Sequence, residues 1–189
     1  MQKNLLAIGN QKLGNKVLTF NLPVLKTCKP TQWCRKHCYA NKGRFGFKQV
    51  KQSLEWKLEE SKKDNFVEQI NLQLKRSKKK LVRIHASGDF YSNEYVNRWI
   101  EIAKANPDKI FVTYTKRDDL QGVLKELESL PNVKLFGSID ETKIKTPFKK
   151  FAAIEGTPVT DSYRTCDGGC EKCKYKCWSL GDNVVFHKH

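Results

Sequence analysis

Apolar positions along the chain alternate between two periods. Lys16 to Phe20 (KVLTF) is a compact apolar run that predicts a strand, stopped by Asn21-Leu22-Pro23. Val50, Leu54 and Leu58 then recur at helical spacing. Asp64 stands where it can cap a second helix with Phe66, Val67, Ile70 and Leu74 on one face. From there strand and helix signals take turns. Leu81 to His85 (LVRIH) reads as a strand, and Ser92 can cap a helix whose apolar face is Val96, Trp99, Ile100 and Ala103, ended by Asn106-Pro107. Ile110 to Tyr114 is the next strand. Asp119 opens a helix bearing Leu120, Val123, Leu124 and Leu127, Leu130-Pro131 closes it, and Val133 to Phe136 and Phe151 to Ile154 follow as strands. Strands alternating with helices of this length predict βα units and a parallel sheet. The expectation is one α/β domain over 1–189. In it, 1–155 form a partial (βα) barrel-like parallel sheet, and a Cys-rich C-terminal tail, 156–189, packs on it. From Thr165 the tail reads as irregular and metal-bound.

Composition fits that picture. With 189 residues, 39% hydrophobic and 30% charged, the chain has the make-up of a single globular domain. No run approaches the roughly 18 apolar residues of a membrane span, and Met1 to Lys12 lacks the apolar core of a signal peptide, so a soluble, cytoplasmic protein is expected. Charge adds a partner class: 36 Lys and Arg against 20 Asp and Glu give a net charge of +16, which attracts nucleic acid or a phosphate-bearing ligand. The local run Lys75, Arg76, Lys78, Lys79 and Lys80 reads more readily as a solvated helix end than as a binding site.

The seven cysteines carry the candidate chemistry. They fall into Cys28, Cys34 and Cys38 near one end and Cys166, Cys170, Cys173 and Cys177 near the other, with none between. An odd count at short spacings argues for metal or cluster ligation rather than a disulfide framework. Three thiolates leave a coordination position open; four close a site. The tail has only one C-x2-C knuckle, which inclines it to an iron–sulfur cluster, with zinc as the alternative metal. A three-Cys-plus-His zinc site using His37 or His85, or one cluster shared between the two groups, competes at the first position.

The polar residues share one location. The first cysteine group follows the first strand, Ser87, Gly88 and Asp89 the second, Thr115, Lys116 and Arg117 the third, and Gly137, Ser138 and Asp140 the fourth. In a parallel sheet all of these lie at the carboxyl ends of the strands, where ligands bind. Asp89 suits a ligand amine, or else caps a helix near Ser92. Lys116 and Arg117 suit an anionic group, and His85 a metal ligand or proton carrier. The sequence fixes no catalytic group; His85, Asp89 and Lys116 are the candidates.

Leu22-Pro23, Thr27-Cys28, Cys34, Cys38-Tyr39-Ala40, Gly43-Arg44-Phe45, the stretch Arg83 to Tyr91, Trp99, Tyr114-Thr115-Lys116, Cys173, Cys177-Trp178 and the terminal Phe186 to His189 together resemble the gene product 88 family of phages and plasmids. That resemblance implies a phage-type protein inside a host cell. The order of parts is also similar to the first half of a radical S-adenosylmethionine (SAM) enzyme. That likeness implies a [4Fe-4S] cluster, one or two in number, with SAM at the open iron of the three-cysteine site. It also implies cofactor contacts from Ser87, Gly88, Asp89, Ser138 and Asp140, shielding of the cluster by Trp33, Tyr39 and Phe45, and an auxiliary cluster in the tail. The spacing C-x5-C-x3-C of Cys28, Cys34 and Cys38 departs from that superfamily's C-x3-C-x2-C, which occurs here at Cys166, Cys170 and Cys173. Two readings result. One is an iron–sulfur protein resembling a minimal radical SAM enzyme, acting on a nucleic-acid or other macromolecular substrate. The other is a non-catalytic or nuclease-like nucleic-acid-binding protein whose metals only staple the fold.

Overall fold

The structure is a computed structural model and describes residues 4–188. Its centre is an eight-stranded sheet in the order β1-β2-β3-β4-β5-β6-β8-β7. The strands are β1 (Ala7–Ile8), β2 (Val17–Phe20), β3 (Leu81–Ile84), β4 (Ile110–Thr115), β5 (Val133–Ser138), β6 (Phe151–Ile154), β7 (Arg164–Thr165) and β8 (Val184–Phe186). Only β1 runs antiparallel, against β2; every other pair is parallel. The sheet is α/β and mostly parallel, as the alternating periods imply, and it does not close into a barrel.

The long crossovers are helical. They are α2 (Lys48–Lys62) and α3 (Phe66–Arg76) between β2 and β3, α4 (Asn93–Ala105) between β3 and β4, and α5 (Gln121–Ser129) between β4 and β5. A shorter helix, α1 (Gln32–His37), lies in the loop after β2. The apolar faces of α2 to α5 bury one side of the sheet. Phe66, Ile70, Leu74, Tyr95, Trp99, Ile100, Leu124 and Leu127 pack with Phe20, Val82, Ile84, Phe111 and Leu135 in one continuous core. Ser92 caps α4 as its position predicts, its Oγ accepting from Tyr95 N at 3.2 Å. Asp64 is displaced from the cap of α3 by Asn65, and Asp119 lies in a short 3-10 turn (Asp118–Leu120) that leads into α5.

The tail corrects the expectation of an irregular segment. It contributes β7, β8 and a one-turn helix, α6 (Lys176–Ser179), and β8 pairs with β6 through Ala152↔Val184 and Ile154↔Phe186. Trp178 and Cys177 pack on the sheet face opposite the long helices, against Val17, Val112, Phe136, Ala152 and Val184. A three-residue strand and a four-residue helix are too short for periodicity to reveal. The tail is therefore anchored by apolar burial and strand pairing.

Candidate functional site

The first cysteine group is assembled by two interlocked loops. The Thr27 hydroxyl donates to Pro23 O at 2.7 Å and accepts from Asp89 N at 3.2 Å, which fixes Cys28 beside the loop after β3. Ser87 Oγ donates to Leu22 O at 3.0 Å, and Leu22 N donates to Ser87 O at 2.9 Å. Gly88 sits between these strands of loop with φ +79, under Leu22 and Thr27. Ser87 and Gly88, expected as cofactor contacts, are thus engaged in holding the cysteine loop. The other two thiols come from α1. Thr31 caps that helix, its Oγ1 accepting from Cys34 N at 3.0 Å and donating to Asp140 Oδ2 at 2.5 Å. Cys34 lies within the helix and Cys38 is its C-cap, and the charge of Cys38 acts on Cys34.

Charged groups close around the thiols. Asp89 Oδ1 accepts from Thr115 Oγ1 at 2.8 Å and from Phe90 N at 2.8 Å, and its Oδ2 from Lys116 N at 3.0 Å. Asp89 therefore ties the β3 and β4 loops together and is not the cap of α4. Burial raises its carboxyl above the usual range, opposed by those hydrogen bonds. Lys116 Nζ donates to Asp140 Oδ2 at 2.8 Å, and Thr142 N and Oγ1 donate to Asp140 Oδ1 at 3.0 and 2.8 Å. Burial would raise Asp140, but the donors Lys116, Thr31 and Thr142 win and hold it at about 2. Arg117 pairs with Asp119 at 2.9 Å and donates through Nη1 to Phe90 O, so its largely buried guanidinium also acts on Asp89 and Cys28. Ser138 stands at the end of β5, where its carbonyl accepts from Lys143 Nζ at 3.4 Å. Burial, then the Asp89 charge and the neighbouring thiols, push Cys28 up to about 12; burial likewise raises Cys34, which Lys116 partly offsets. The charges acting on these two thiols include one another, Cys38, Asp89, Lys116, Arg117 and Asp140, so the group converges on the carboxyl edge.

His85, expected as a metal ligand or proton carrier, instead enters the aromatic core. Its ring lies on the helix side, 5.0 Å from Phe90 and 5.8 Å from Tyr95, and Nε2 is 2.8 Å from the Tyr95 hydroxyl. Burial lowers its pKa to about 3, so it is neutral and enclosed in the aromatic core, away from the thiols. His37 Nδ1 lies 3.0 Å from Trp33 O and its ring stacks on Trp33 at 4.4 Å, and among the described residues it forms no metal-holding group with the thiols. Of the aromatics expected to shield a cluster, Tyr39 donates its hydroxyl to Ala86 O and meets Phe45 edge-on at 6.1 Å.

The four tail thiols form a separate group on the other sheet face. Consecutive left-handed residues, Lys174 (φ 51) and Tyr175 (φ 57), turn the chain between Cys173 and Cys177. Cys170 N donates to Lys12 O at 2.8 Å, tying the turn to the loop before β2. Arg164 donates through Nη2 to Cys177 Sγ at 3.1 Å. Burial and then Cys173 and Cys177 push Cys170 up to about 12, with Arg83 opposing. Arg83 lies over the Tyr114 ring at 3.8 Å, and burial followed by Cys177 raises the Tyr114 phenol well above its usual value. Arg83, Tyr114 and Arg164 escape a sequence reading because nothing local marks which strand residue faces the tail. Thr31, directly ahead of an α-helical turn, does carry a legible cap signal.

All seven cysteines are free thiols. Among the described residues no three Cys, His, Asp or Glu side chains are drawn closely enough together to hold a metal ion as they stand. The donor chemistry nevertheless suits a thiolate-bound group, since among the described residues no imidazole is grouped with either set. Beside the tail set, Arg164 Nε and Trp178 Nε1 are buried donors without a partner among the described residues. His189, the last residue of the terminal motif, lies outside the described residues, and no described helix is long and apolar enough to cross a membrane.

An open, mostly parallel α/β sheet with one helical face, three thiols at its carboxyl edge and four on its other face is the class these features define. Within that class the chain belongs to the Gene product 88 family, whose model matches residues 2–185. It is similar to the Gene 88 protein of Mycobacterium phage L5, with 39% identity over 70 residues, 37% of this chain and 29% of that protein. The match thus spans less than a third of that relative's length. No solved structure matches the chain, so no comparison carries the likeness to radical SAM enzymes.

Proposed function

We propose that this is an iron–sulfur protein, in which Cys28, Cys34 and Cys38 hold a cluster with one exchangeable position and Cys166, Cys170, Cys173 and Cys177 hold a closed one. The observation that carries this reading is the sorting of seven free thiols into a set of three and a set of four, with no described histidine grouped with either. A thiolate-only set suits iron–sulfur or zinc, and a three-thiolate set without a fourth protein ligand favours the cluster. A [4Fe-4S] group bound there supplies one-electron transfer and an iron position open to a small ligand, for which SAM is the candidate. The chain's own residues set the surroundings. Asp89 and the Lys116–Asp140 pair place fixed charges beside Cys28 and Cys34, and the Thr27–Gly88 interlock holds the loop that carries Cys28.

Anaerobic purification followed by iron, acid-labile sulfide and zinc analysis tests the proposal. A brown protein with iron and sulfide is expected, and its reduced electron paramagnetic resonance spectrum should change on adding SAM. A colourless protein with about two zinc ions and no sulfide overturns it.

A further inference from the structure

The charge of the chain is unevenly placed. No Asp or Glu occurs before Glu55, so the whole segment leading into α2 is free of acids. Between Trp33 and Lys51 it carries Arg35, Lys36, Lys42, Arg44, Lys48 and Lys51, all exposed. Among the described residues none of the six is in an ion pair. Aromatics are interleaved with them: Trp33, Tyr39, Phe45 and Phe47, of which Tyr39 is 50% and Phe47 59% exposed. An exposed Phe beside unpaired cations has no role in the core. The contrast with the run Lys75 to Lys80 is instructive. There Lys80 pairs with Asp108 at 2.8 Å, Lys79 donates to Asn15 O, and no aromatic occurs in the run.

Shape agrees with charge. One open hollow of about 380 Å³ is bordered by Trp33, Lys36, His37 and Lys188, with Glu141 as its acidic member. Another, of about 540 Å³, is bordered by Gly46, Lys48 and Lys51, with Glu55 as its acidic member. The backbone between them runs through two short 3-10 turns, Tyr39–Asn41 and Gly43–Gly46, rather than a long helix or paired strands. That form is unsuited to filling a duplex major groove, whereas exposed rings among cations suit unpaired bases.

We propose that residues 33–51 are a binding surface for single-stranded nucleic acid. Phosphates lie along Arg35, Lys36, Lys42, Arg44, Lys48 and Lys51, and bases stack on Phe47, Tyr39 and Trp33. Cys34 and Cys38 belong to the same segment, so the bound strand passes beside the carboxyl edge of the sheet. The surface does not depend on the metal reading, because none of its contacts uses a thiol.

Fluorescence anisotropy of the full chain with labelled oligothymidylate and oligouridylate of roughly 15 nucleotides tests this across a salt series. Expected is binding whose logarithm falls against the logarithm of salt with a slope of about −4, from some six phosphates. Neutralising Arg44, Lys48 and Lys51 together should reduce that slope by about 2, and Phe47→Ala should weaken binding about tenfold with an unchanged melting temperature. Ultraviolet cross-links should map to residues 33–51. Four outcomes overturn the proposal: no binding at low salt, equal loss on neutralising Lys75, Arg76 and Lys78, tighter binding to duplex than to single strands, or Phe47-dependent binding to anionic vesicles without binding to either oligonucleotide. Because metal content is read separately, failure here and failure of the iron–sulfur reading are distinguishable.

Discussion

Gly88 and Leu22 meet so closely that a Cβ on the glycine falls 2.6 Å from Leu22 Cβ and 2.7 Å from its carbonyl oxygen. The contact joins the loop after β3 to the loop carrying Cys28. Gly88 also has φ +79, so Gly88→Ala adds backbone strain to a collision with backbone. A loss of roughly 2 kcal/mol or more is expected, read as a lower urea midpoint with an unchanged slope. An unchanged midpoint means that the loops are not interlocked.

The Lys116–Asp140 pair invites a double-mutant cycle. Asp140 has a fully buried side chain, and Lys116 is only 14% exposed. Asp140→Ala strands the ammonium, with an expected loss of about 3 kcal/mol, whereas Asp140→Leu with Lys116→Met should recover much of it. Additive single effects rule the coupling out. The sign with pH is fixed as well. Because Asp140 is held at about 2, its contribution is present above its ordinary 3.8 and is lost as pH falls from there toward 2.

His85 gives a second pH signature. Burial keeps its folded pKa at about 3 against an ordinary 6.5, so the unfolded chain takes up a proton that the folded chain refuses. Stability attributable to this group therefore falls by about 1.4 kcal/mol per pH unit below 6.5, down to about 3. His85→Phe keeps the aromatic packing and should flatten that part of the curve relative to wild type. Parallel curves for the two proteins contradict a buried neutral imidazole.

Trp178 is the anchor of the tail, 3% exposed against the sheet face opposite the long helices. Trp178→Ala is expected to cost about 3 kcal/mol or more and to open the tail to trypsin at Lys172, Lys174 and Lys176. Metal-depleted wild type should resist the same treatment. Equal digestion of depleted wild type shows that ligation, not packing, holds the segment.

The βα alternation was legible because α2 to α5 are long enough for periodicity to appear, and the carboxyl-edge placement of Ser87, Asp89, Lys116 and Asp140 follows from it. What those residues do there was less legible. Asp89 and Asp140 are each satisfied by donors from distant segments, Thr115 and Thr31 among them, and no local signal announces such partners. His85 ends a strand, but its ring turns into the aromatic core beside Tyr95, a choice made by tertiary packing. The tail strands were hidden by their brevity, and α1 by the cysteines and cations that break its apolar pattern.

The two outermost strands of the open sheet, Ala7–Ile8 and Arg164–Thr165, are each two residues long. A neighbouring molecule arriving at either border finds a ladder only one or two hydrogen bonds wide, too little to template its own strand. The fold thereby stays finite without closing on itself. Crowded copies can collide edge to edge and separate again, rather than polymerising into a continuous ribbon.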